Sequence, residues 1–203
     1  MFYSAACERN REAILAVLQD WLPPAAQVLE VGSGSGQHAV FFAQSMAGLA
    51  WQPSELPANL AGLGERIALE GSSGLAPGAQ IPRPIALDVS APVDWPNQRF
   101  DAVFTANTAH IMPASSVPDL LAGAAGVLVP GGLLLLYGPF CDHGIPTAAS
   151  NVDFDLHLRS LDPAMGVRDA VLICEQAEGL GLSPVADVAM PANNRTLIFR
   201  RDS

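Results

Sequence analysis

The sequence predicts an α/β protein with a doubly wound, mostly parallel sheet, on three observations. Apolar runs of strand length alternate with segments of helical periodicity through residue 137. The run at residues 133–137 shows no polar alternation, as expected for a strand buried on both faces. Two late apolar runs, residues 185–190 and 196–200, flank the short segment 191–194, which predicts an antiparallel hairpin at one end of the sheet. Helices are therefore expected on both faces of the sheet.

The first elements follow from caps and periodicity. Residues 10–21 have apolar side chains at helical spacing, with Asn10 as the expected N-cap and two prolines after the last turn. Residues 27–31 form the first predicted strand. The later predicted strands are residues 49–52, 85–89, 100–106 and 133–137. The later predicted helices are residues 37–46, 58–70, 117–128 and 168–179, and the predicted loops are residues 71–84 and 138–150.

Length and composition limit the class of protein. The 203 residues are 50% hydrophobic and 15% charged, which fits one domain with a sizeable core. Within it, residues 1–24 are expected to form an N-terminal segment and helix, a candidate active-site lid, and residues 25–203 the main domain. No apolar stretch reaches the roughly 18 residues of a membrane span, and the polar residues 8–12 interrupt any secretory signal. A cytoplasmic protein is expected.

Charge and cysteine content exclude two further classes. The formal net charge is −10, and no run of Lys or Arg offers a face for phosphates, so no nucleic-acid partner is expected. Cys7, Cys141 and Cys174 form no Cys-x-x-Cys or Cys/His cluster, so no metal site is expected.

A glycine-rich loop follows the first predicted strand. Residues 28–37 run from that strand into Gly32, Gly34 and Gly36 and then open a helix. Glycines let the backbone turn tightly and approach a ligand closely, and a helix start provides free N–H groups. A dinucleotide site prefers Gly-x-Gly-x-x-Gly, and Gln37 stands at the position of its third glycine. This spacing counts against NAD.

Three carboxylates are expected at the carboxyl ends of parallel strands, where open α/β sheets bind their ligands. Glu30, near the end of the first strand, suits a ligand that carries an ammonium and a sulfonium, whereas it would repel a pyrophosphate. Glu55 lies 19 positions beyond Gly36 and can accept hydrogen bonds from both ribose hydroxyls. Asp88 ends the third predicted strand, where it can accept from an adenine amino group. Glu55 and Asp88 can alternatively be helix caps or solvated loop acids.

These features together resemble the Rossmann-like, class I S-adenosylmethionine-dependent methyltransferases. The resemblance rests on residues 30–36, on Glu55 and Asp88, on residues 100–107, and on the turn at residues 130–132 before the fifth strand. It covers most of the chain and implies a seven-stranded sheet with one reversed strand.

A narrower likeness covers almost the whole chain. Five segments are similar to those of an uncharacterised methyltransferase-like family of unknown function: residues 4–10, 35–38, 51–55, 150–155 and 190–194. This likeness supports the same cofactor. It implies nothing about the methyl acceptor, because the family has no established reaction.

The resemblance implies contacts with S-adenosyl-L-methionine. Glu30 and the glycine loop would hold the methionine portion, and Glu55 would bind the ribose. Asp88 and the backbone of Val89 would bind the adenine, and Asn107 would line the methyl-donor side. The expected cofactor-binding residues are Glu30, Gly32, Ser33, Gly34, Gly36, Glu55, Asp88, Val89 and Asn107.

The methyl acceptor is expected to be a small molecule that the sequence does not identify. Transfer from a sulfonium depends mainly on holding donor and acceptor close and in line, and a base helps only if the acceptor must lose a proton. His110 is the candidate base; the alternative is a loop histidine that is hydrogen bonded to backbone. Tyr137 is a second catalytic candidate; the alternative is a residue of the core. The candidate substrate contacts, for which solvated or capping positions are the alternative, are Arg9, Asn10, Asn151 and Asp153.

Two other functions stay open on sequence alone. A nicotinamide-dependent oxidoreductase shares the strand–glycine–helix unit, although Glu30 and Gln37 speak against it. A non-catalytic S-adenosylmethionine-binding module acting through a protein partner is compatible with the lack of an obvious acceptor-side motif. The sequence gives no indication of oligomeric state.

Overall fold

A computed structural model describes residues 3–203. Within that range the α-helices are α1 (Ala5–Trp21), α2 (Gln37–Ser45), α3 (Leu60–Glu70), α4 (Val117–Val127), α5 (Ala149–Leu161) and α6 (Ala170–Glu178). The strands are β1 (Gln27–Glu30), β2 (Ala50–Glu55), β3 (Ile85–Ala86), β4 (Phe100–Ala106), β5 (Leu128–Gly138), β6 (Phe140–Asp142), β7 (Ile145–Pro146), β8 (Arg168–Asp169), β9 (Leu182–Met190) and β10 (Asn194–Arg201).

Seven of these strands form one sheet in the order β3-β2-β1-β4-β5-β10-β9. β1 pairs in parallel with both β2 and β4, and β2 pairs in parallel with β3. β10 runs antiparallel to both of its neighbours, β5 and β9. The predicted class is therefore confirmed: a seven-stranded, mostly parallel sheet with a C-terminal antiparallel hairpin and helices around it.

The residues group into two compact units, Met1–Phe104 and Thr105–Ser203. In the first, described from residue 3, aromatic rings fill the space between α2 and the strands. The ring centroids of Phe42 and Trp51 lie 5.1 Å apart, and those of Trp51 and Phe104 lie 5.4 Å apart. Tilted contacts at these separations suit the ring quadrupoles. This cluster includes Trp51, whose ring nitrogen also reaches the candidate site.

The second unit contains the hairpin and a smaller sheet. Residues 133–136 of β5 and residues 197–199 of β10 are buried, as their unbroken apolar runs predict. β7, β6 and β8 form a separate three-stranded sheet, and α5 follows β7 directly. The predicted loop at residues 138–150 therefore contains two short strands, and α5 was not predicted.

The first helix begins earlier than predicted. The Ser4 side chain accepts a hydrogen bond from the Cys7 amide at 3.4 Å and caps α1, so Asn10 is not the N-cap but a buried residue inside the helix. Residues 8–10, which a helix predicted from residue 10 left at or before its start, lie inside α1. Ala5 and Ala6 follow the cap, and alanine is the strongest helix former, which explains the earlier start.

Three strand ends also differ from prediction. β2 extends through Glu55, so this acid is the last residue of the strand and does not follow it. β3 ends at Ala86, so Asp88 lies in the loop beyond the strand. β5 begins at Leu128, so residues 130–132 lie within the strand and not before it. None of the helices among residues 3–203 is both long enough and apolar enough to cross a membrane.

Candidate functional site

The glycine loop between β1 and α2 depends on left-handed backbone. Gly32, Gly34 and Gly36 have φ angles of +72°, +52° and +75°, which favour glycine. A Cβ at Gly34 would meet no heavy atom within 4 Å, so the loop backbone faces open space there. A Cβ at Gly36 would lie 2.8 Å from Leu63 Cδ1, so this glycine lets α3 pack against the loop. The glycines thus have two structural roles: Gly36 allows close packing, and Gly34 leaves open space beside the loop backbone.

Two serines fasten the loop to β2. The Ser33 amide donates to the Ser54 carbonyl at 2.8 Å, and the Ser54 amide donates to the Ser33 hydroxyl at 3.1 Å. The Ser54 hydroxyl donates to the carbonyl of Glu30 at 2.6 Å. Ser33, predicted to contact the cofactor, therefore also holds the loop in register with the neighbouring strand.

Glu30 is a carboxylate buried at the end of β1, with 2% of its surface exposed. Its Oε2 accepts a hydrogen bond from Trp51 Nε1 at 2.9 Å. Burial raises the pKa of Glu30 to about 7, and hydrogen bonds from Ser33 and Trp51 oppose only part of that rise. A buried carboxyl that titrates near neutrality is poised to gain from a cationic ligand.

Glu55 lies close enough to Glu30 for its charge to raise the pKa of Glu30 further. Its Oε2 accepts from the Gly34 amide at 2.7 Å, and its Oε1 accepts from the Leu56 amide at 2.9 Å and from Asn59 Nδ2 at 3.5 Å. Each carboxylate oxygen has two lone pairs, so Glu55 keeps acceptor capacity beyond these bonds. The structure therefore brings two of the three predicted acids together around the glycine loop.

Asp88 follows β3 in a loop that is hydrogen bonded to β2, because the Leu87 amide donates to the Glu55 carbonyl at 3.0 Å. Asp88 Oδ1 accepts from the Ser90 hydroxyl at 2.6 Å and from the Ser90 amide at 3.0 Å. These two bonds hold the pKa of Asp88 below its usual value. The carbonyl of Val89 accepts from Trp95 Nε1 at 3.2 Å. Asp88 is thus an ionised, partly exposed acid with its Oδ2 available.

Gln37, which the sequence identified only as a departure from the dinucleotide pattern, is a central contact of this region. Its Oε1 accepts from the Ser4 amide at 2.6 Å and from the Ser35 hydroxyl at 2.9 Å. Its Nε2 donates to Glu8 Oε1 at 2.8 Å, and Glu8 also pairs with Arg11 at 2.7 Å. Gln37 therefore binds the start of α1 to the glycine loop. The sequence contained one sign of this contact: Gln37 is a polar residue at the first position of a helix that is otherwise mostly apolar.

Asn10 forms a second contact between α1 and α2. Its Oδ1 lies 2.8 Å from His38 Nε2, and both side chains are buried. Burial, together with the charge of Arg11, lowers the pKa of His38 to about 4, so the ring is neutral. Arg9, the neighbouring candidate, is exposed on α1. Sequence reasoning placed Asn10 at a helix start and therefore missed its partner.

His110 lies in a turn of the second unit, and only 5% of its surface is exposed. Its ring meets that of Phe154 edge-on, with centroids 5.2 Å apart. Burial, with a smaller effect from the charge of Arg168, lowers the pKa of His110 to about 4. The imidazole is therefore neutral at physiological pH.

Asn107 and Tyr137, both in the second unit, are joined by a hydrogen bond between their backbones. The Asn107 amide donates to the Tyr137 carbonyl at 2.9 Å. Asn107 has a φ of +60°, a left-handed conformation that asparagine tolerates better than most residues. Tyr137 lies one residue before the end of β5 and is buried.

Asn151 and Asp153 lie in the first turns of α5, one buried and one exposed. Asn151 Nδ2 donates to Thr147 Oγ1 at 3.1 Å and to the Asn193 carbonyl at 3.2 Å. The second bond connects α5 to the turn between β9 and β10. The amide of Asn151 therefore has a supporting contact, whereas Asp153 is open to solvent.

The three cysteines are free thiols. Burial raises the pKa of each of them, so they resist ionisation. Across residues 3–203, no group of three or more His, Cys, Asp or Glu residues is arranged to hold a metal ion.

Several solved structures that this chain resembles are methyltransferases. An O-methyltransferase family protein from Burkholderia thailandensis matches with a TM-score of 0.76 and 19% identity, over 95% of this chain and 58% of that one. The S-adenosylmethionine-dependent methyltransferase SibL matches with a TM-score of 0.78 and 20% identity, over 98% and 56%. Human N-acetylserotonin methyltransferase in complex with SAM matches with a TM-score of 0.77 and 15% identity, over 98% and 53%. The chain thus spans little more than half the length of these proteins.

A sequence-family profile gives a separate result. It matches residues 1–201, almost the whole chain, and describes a protein of unknown function. The match includes the glycine loop, both buried acids and the start of α1. The chain therefore belongs to the DUF938 family of proteins of unknown function.

Proposed function

We propose that this protein is an S-adenosyl-L-methionine-dependent methyltransferase that acts on a small molecule. The observation that carries the proposal is the pairing of Glu30 and Glu55 around a glycine loop with an open backbone face at Gly34. Burial is the main cause of the raised pKa of Glu30, and repulsion by the nearby charge of Glu55 adds to it. A ligand with an ammonium, a sulfonium and ribose hydroxyls offsets that repulsion, whereas a pyrophosphate adds to it.

The residues present fit such a donor. Glu30 and the loop backbone at Gly34 bind the methionine portion, since the space beside Gly34 is free of protein atoms. The remaining lone pairs of Glu55 accept the ribose hydroxyls. Asp88, with one oxygen bound to Ser90, uses the other for the adenine amino group. The backbone of Val89 completes the proposed set in the first unit, and Asn107 of the second unit stays a candidate for the methyl-donor side.

The bound donor supplies an activated methyl group. The protein then needs to hold the acceptor in line and to manage its proton. We assign the proton-accepting role to His110, because its lowered pKa keeps the ring unprotonated at neutral pH. Tyr137, Arg9 and Asp153 stay candidates for catalysis or for acceptor contacts. Asn10 and Asn151 are weaker ones, because other side chains already engage their amides.

A hydroxyl group is the acceptor that we favour. One of the solved structures with this fold is an O-methyltransferase family protein. A neutral imidazole accepts the hydrogen bond, and then the proton, of a hydroxyl. The reaction would form the O–CH3 bond, break the S–CH3 bond and transfer the hydroxyl proton to His110.

The proposal is tested by incubating the protein with methyl-labelled S-adenosylmethionine and a pool of small hydroxylated metabolites. Label should appear in an organic product only when active protein is present, and a Gly34→Val variant should give none, because the bulky side chain strains a left-handed position and fills the open face. If the protein binds the donor but labels nothing, it is a binding module and not an enzyme.

A further inference from the structure

Arg168 lies beside the His110 turn with its guanidinium in contact with backbone carbonyls. The side chain is buried, with 9% of the residue exposed, and it projects from β8. Its Nε donates to the Ala109 carbonyl at 2.9 Å, and its Nη2 donates to the Met112 carbonyl at 2.6 Å. These two carbonyls stand on either side of His110 in the chain. One rigid guanidinium plane therefore fixes both ends of the turn.

The segment before Arg168 adds two further bonds. The Gly166 amide donates to the carbonyl of His110 itself at 2.9 Å, and Arg168 Nη2 also donates to the Ala164 carbonyl at 2.8 Å. The backbone of residues 109–112 is thus held at three carbonyl oxygens by two residues of one short segment.

The charge of Arg168 also acts on the imidazole of His110. Arg168 is a buried cation, and its charge lowers the pKa of His110 in addition to burial. The other charged groups that act on Arg168 come from α5, where Asp155 pairs with Arg159 at 2.7 Å and accepts from the Val167 amide at 2.7 Å. Because Asp155 is neutralised by Arg159, the positive charge of Arg168 dominates near the ring.

We propose that Arg168 is a positioning residue for His110: its guanidinium holds the turn on both sides of the imidazole and keeps a positive charge beside the ring. This role rests on the proposed function only in its consequence for catalysis. The hydrogen bonds of Arg168 position the His110 ring, and its charge keeps the ring unprotonated in mildly acidic solution. Because the same charge makes the ring a weaker base, catalysis depends more on the position of His110 than on its proton affinity.

Two variants separate geometry from charge. Arg168→Lys keeps the charge but replaces a planar fork by a single ammonium, so it cannot span both carbonyls. Arg168→Met removes both features at similar volume. Arg201→Met is the matched control, because the Arg201 guanidinium also binds two backbone carbonyls of the second unit, those of Ala125 and Leu128.

The test measures imidazole titration by NMR in the full-length protein without donor. Arg168→Met should raise the pKa of His110 by about one unit, whereas Arg168→Lys should leave it close to the wild-type value. The pKa of His38 should not change and serves as an internal reference. Hydrogen exchange at the Gly166 amide should accelerate in both variants and not in Arg201→Met.

Two results would overturn the proposal: a wild-type pKa of His110 in a folded Arg168→Met protein, or unchanged exchange at Gly166 in both Arg168 variants. Arg168→Lys keeps the test usable if Arg168→Met does not fold. Where methyl transfer is detected, the acid limb of its pH profile should move to higher pH in Arg168→Met. A shifted pKa without any methyl transfer by the wild type would sustain Arg168 as a positioning residue and reject the proposed function alone.

Discussion

Trp51 Nε1 donates a hydrogen bond to the Glu30 carboxylate at 2.9 Å, so a tryptophan of β2 sets the environment of the acid that ends β1. This bond favours the charged form of an otherwise desolvated carboxyl. Replacing Trp51 by Phe retains most of the ring packing and removes the donor. The first prediction follows from that difference.

Trp51→Phe should raise the pKa of Glu30 above its value of about 7 and lower the free energy of unfolding by about 1–2 kcal/mol. The midpoint of the pH dependence of S-adenosylhomocysteine affinity should move upward with it. Trp21→Phe at the end of α1 is the control and should leave both quantities unchanged. An unshifted midpoint in Trp51→Phe would show that Trp51 does not control the pKa of Glu30.

Glu30→Gln should abolish the pH dependence of donor binding. In the wild type, a cationic ligand favours ionised Glu30, so affinity should rise from about pH 5.5 to about pH 7.5 as the carboxyl loses its proton. The glutamine variant should bind about tenfold more weakly at pH 7.5, with a flat profile over this range. A wild-type affinity that falls with pH would contradict the proposed role.

Without ligand, Glu30 should make the fold less stable as pH rises. Its pKa is raised in the folded state, so its contribution to stability is greatest below the unfolded value of 4.5 and is lost as pH rises through about 7. Glu30→Gln removes this loss, so the variant should gain about 2 kcal/mol over the wild type at pH 8. Urea unfolding at pH 5 and pH 8 measures the difference. A variant less stable than the wild type at pH 8 would contradict the linkage.

Glu55→Ala should weaken S-adenosylhomocysteine binding by about tenfold or more, because it removes both the proposed ribose acceptor and the partner of the Gly34 amide. Glu65→Ala, an exposed acid of α3, is the control for the change in net charge. Isothermal titration calorimetry of both variants provides the comparison. Equal affinities in the two variants would exclude a role for Glu55 in the site.

Gln37→Ala should detach the start of α1 from the glycine loop, since it removes three hydrogen bonds at once. The free energy of unfolding should fall by about 2–3 kcal/mol, and amide exchange in residues 4–8 should accelerate. Gln44→Ala, on the same helix with one exposed bond to the Ser73 carbonyl, is the control and should cost less than about 0.5 kcal/mol. Equal exchange in residues 4–8 of the two variants would count against this contact.

The sequence predicted the alternation of strands and helices because apolar periodicity is local information. β4 agrees at both ends, and the start of α2 follows directly from Gly36. The start of α1 was missed because Ser4 and Asn10 are both good caps, and only the burial of Asn10 against His38 decides between them. α5 was missed because the Gly- and Pro-containing segment before it resembles a continuous loop.

The candidate site could be predicted only in part for a similar reason. Glu30 and Glu55 were identified from strand ends, which the parallel sheet brings together. Trp51 and Arg168 were not identified, because their roles depend on hydrogen bonds to residues far away in the chain. A tryptophan in a strand and an arginine in a late segment carry no local sign of the groups that they bind.

Calorimetric titration of the wild-type protein with S-adenosylhomocysteine, alongside NADH, distinguishes a methyl-donor site from a dinucleotide site. Two acids and an open glycine loop that bind the ammonium and ribose of the donor should give a 1:1 complex of about micromolar affinity with S-adenosylhomocysteine, which keeps both groups and lacks only the sulfonium charge, and no heat with NADH. Binding of NADH in place of S-adenosylhomocysteine, or of neither ligand, would contradict the account.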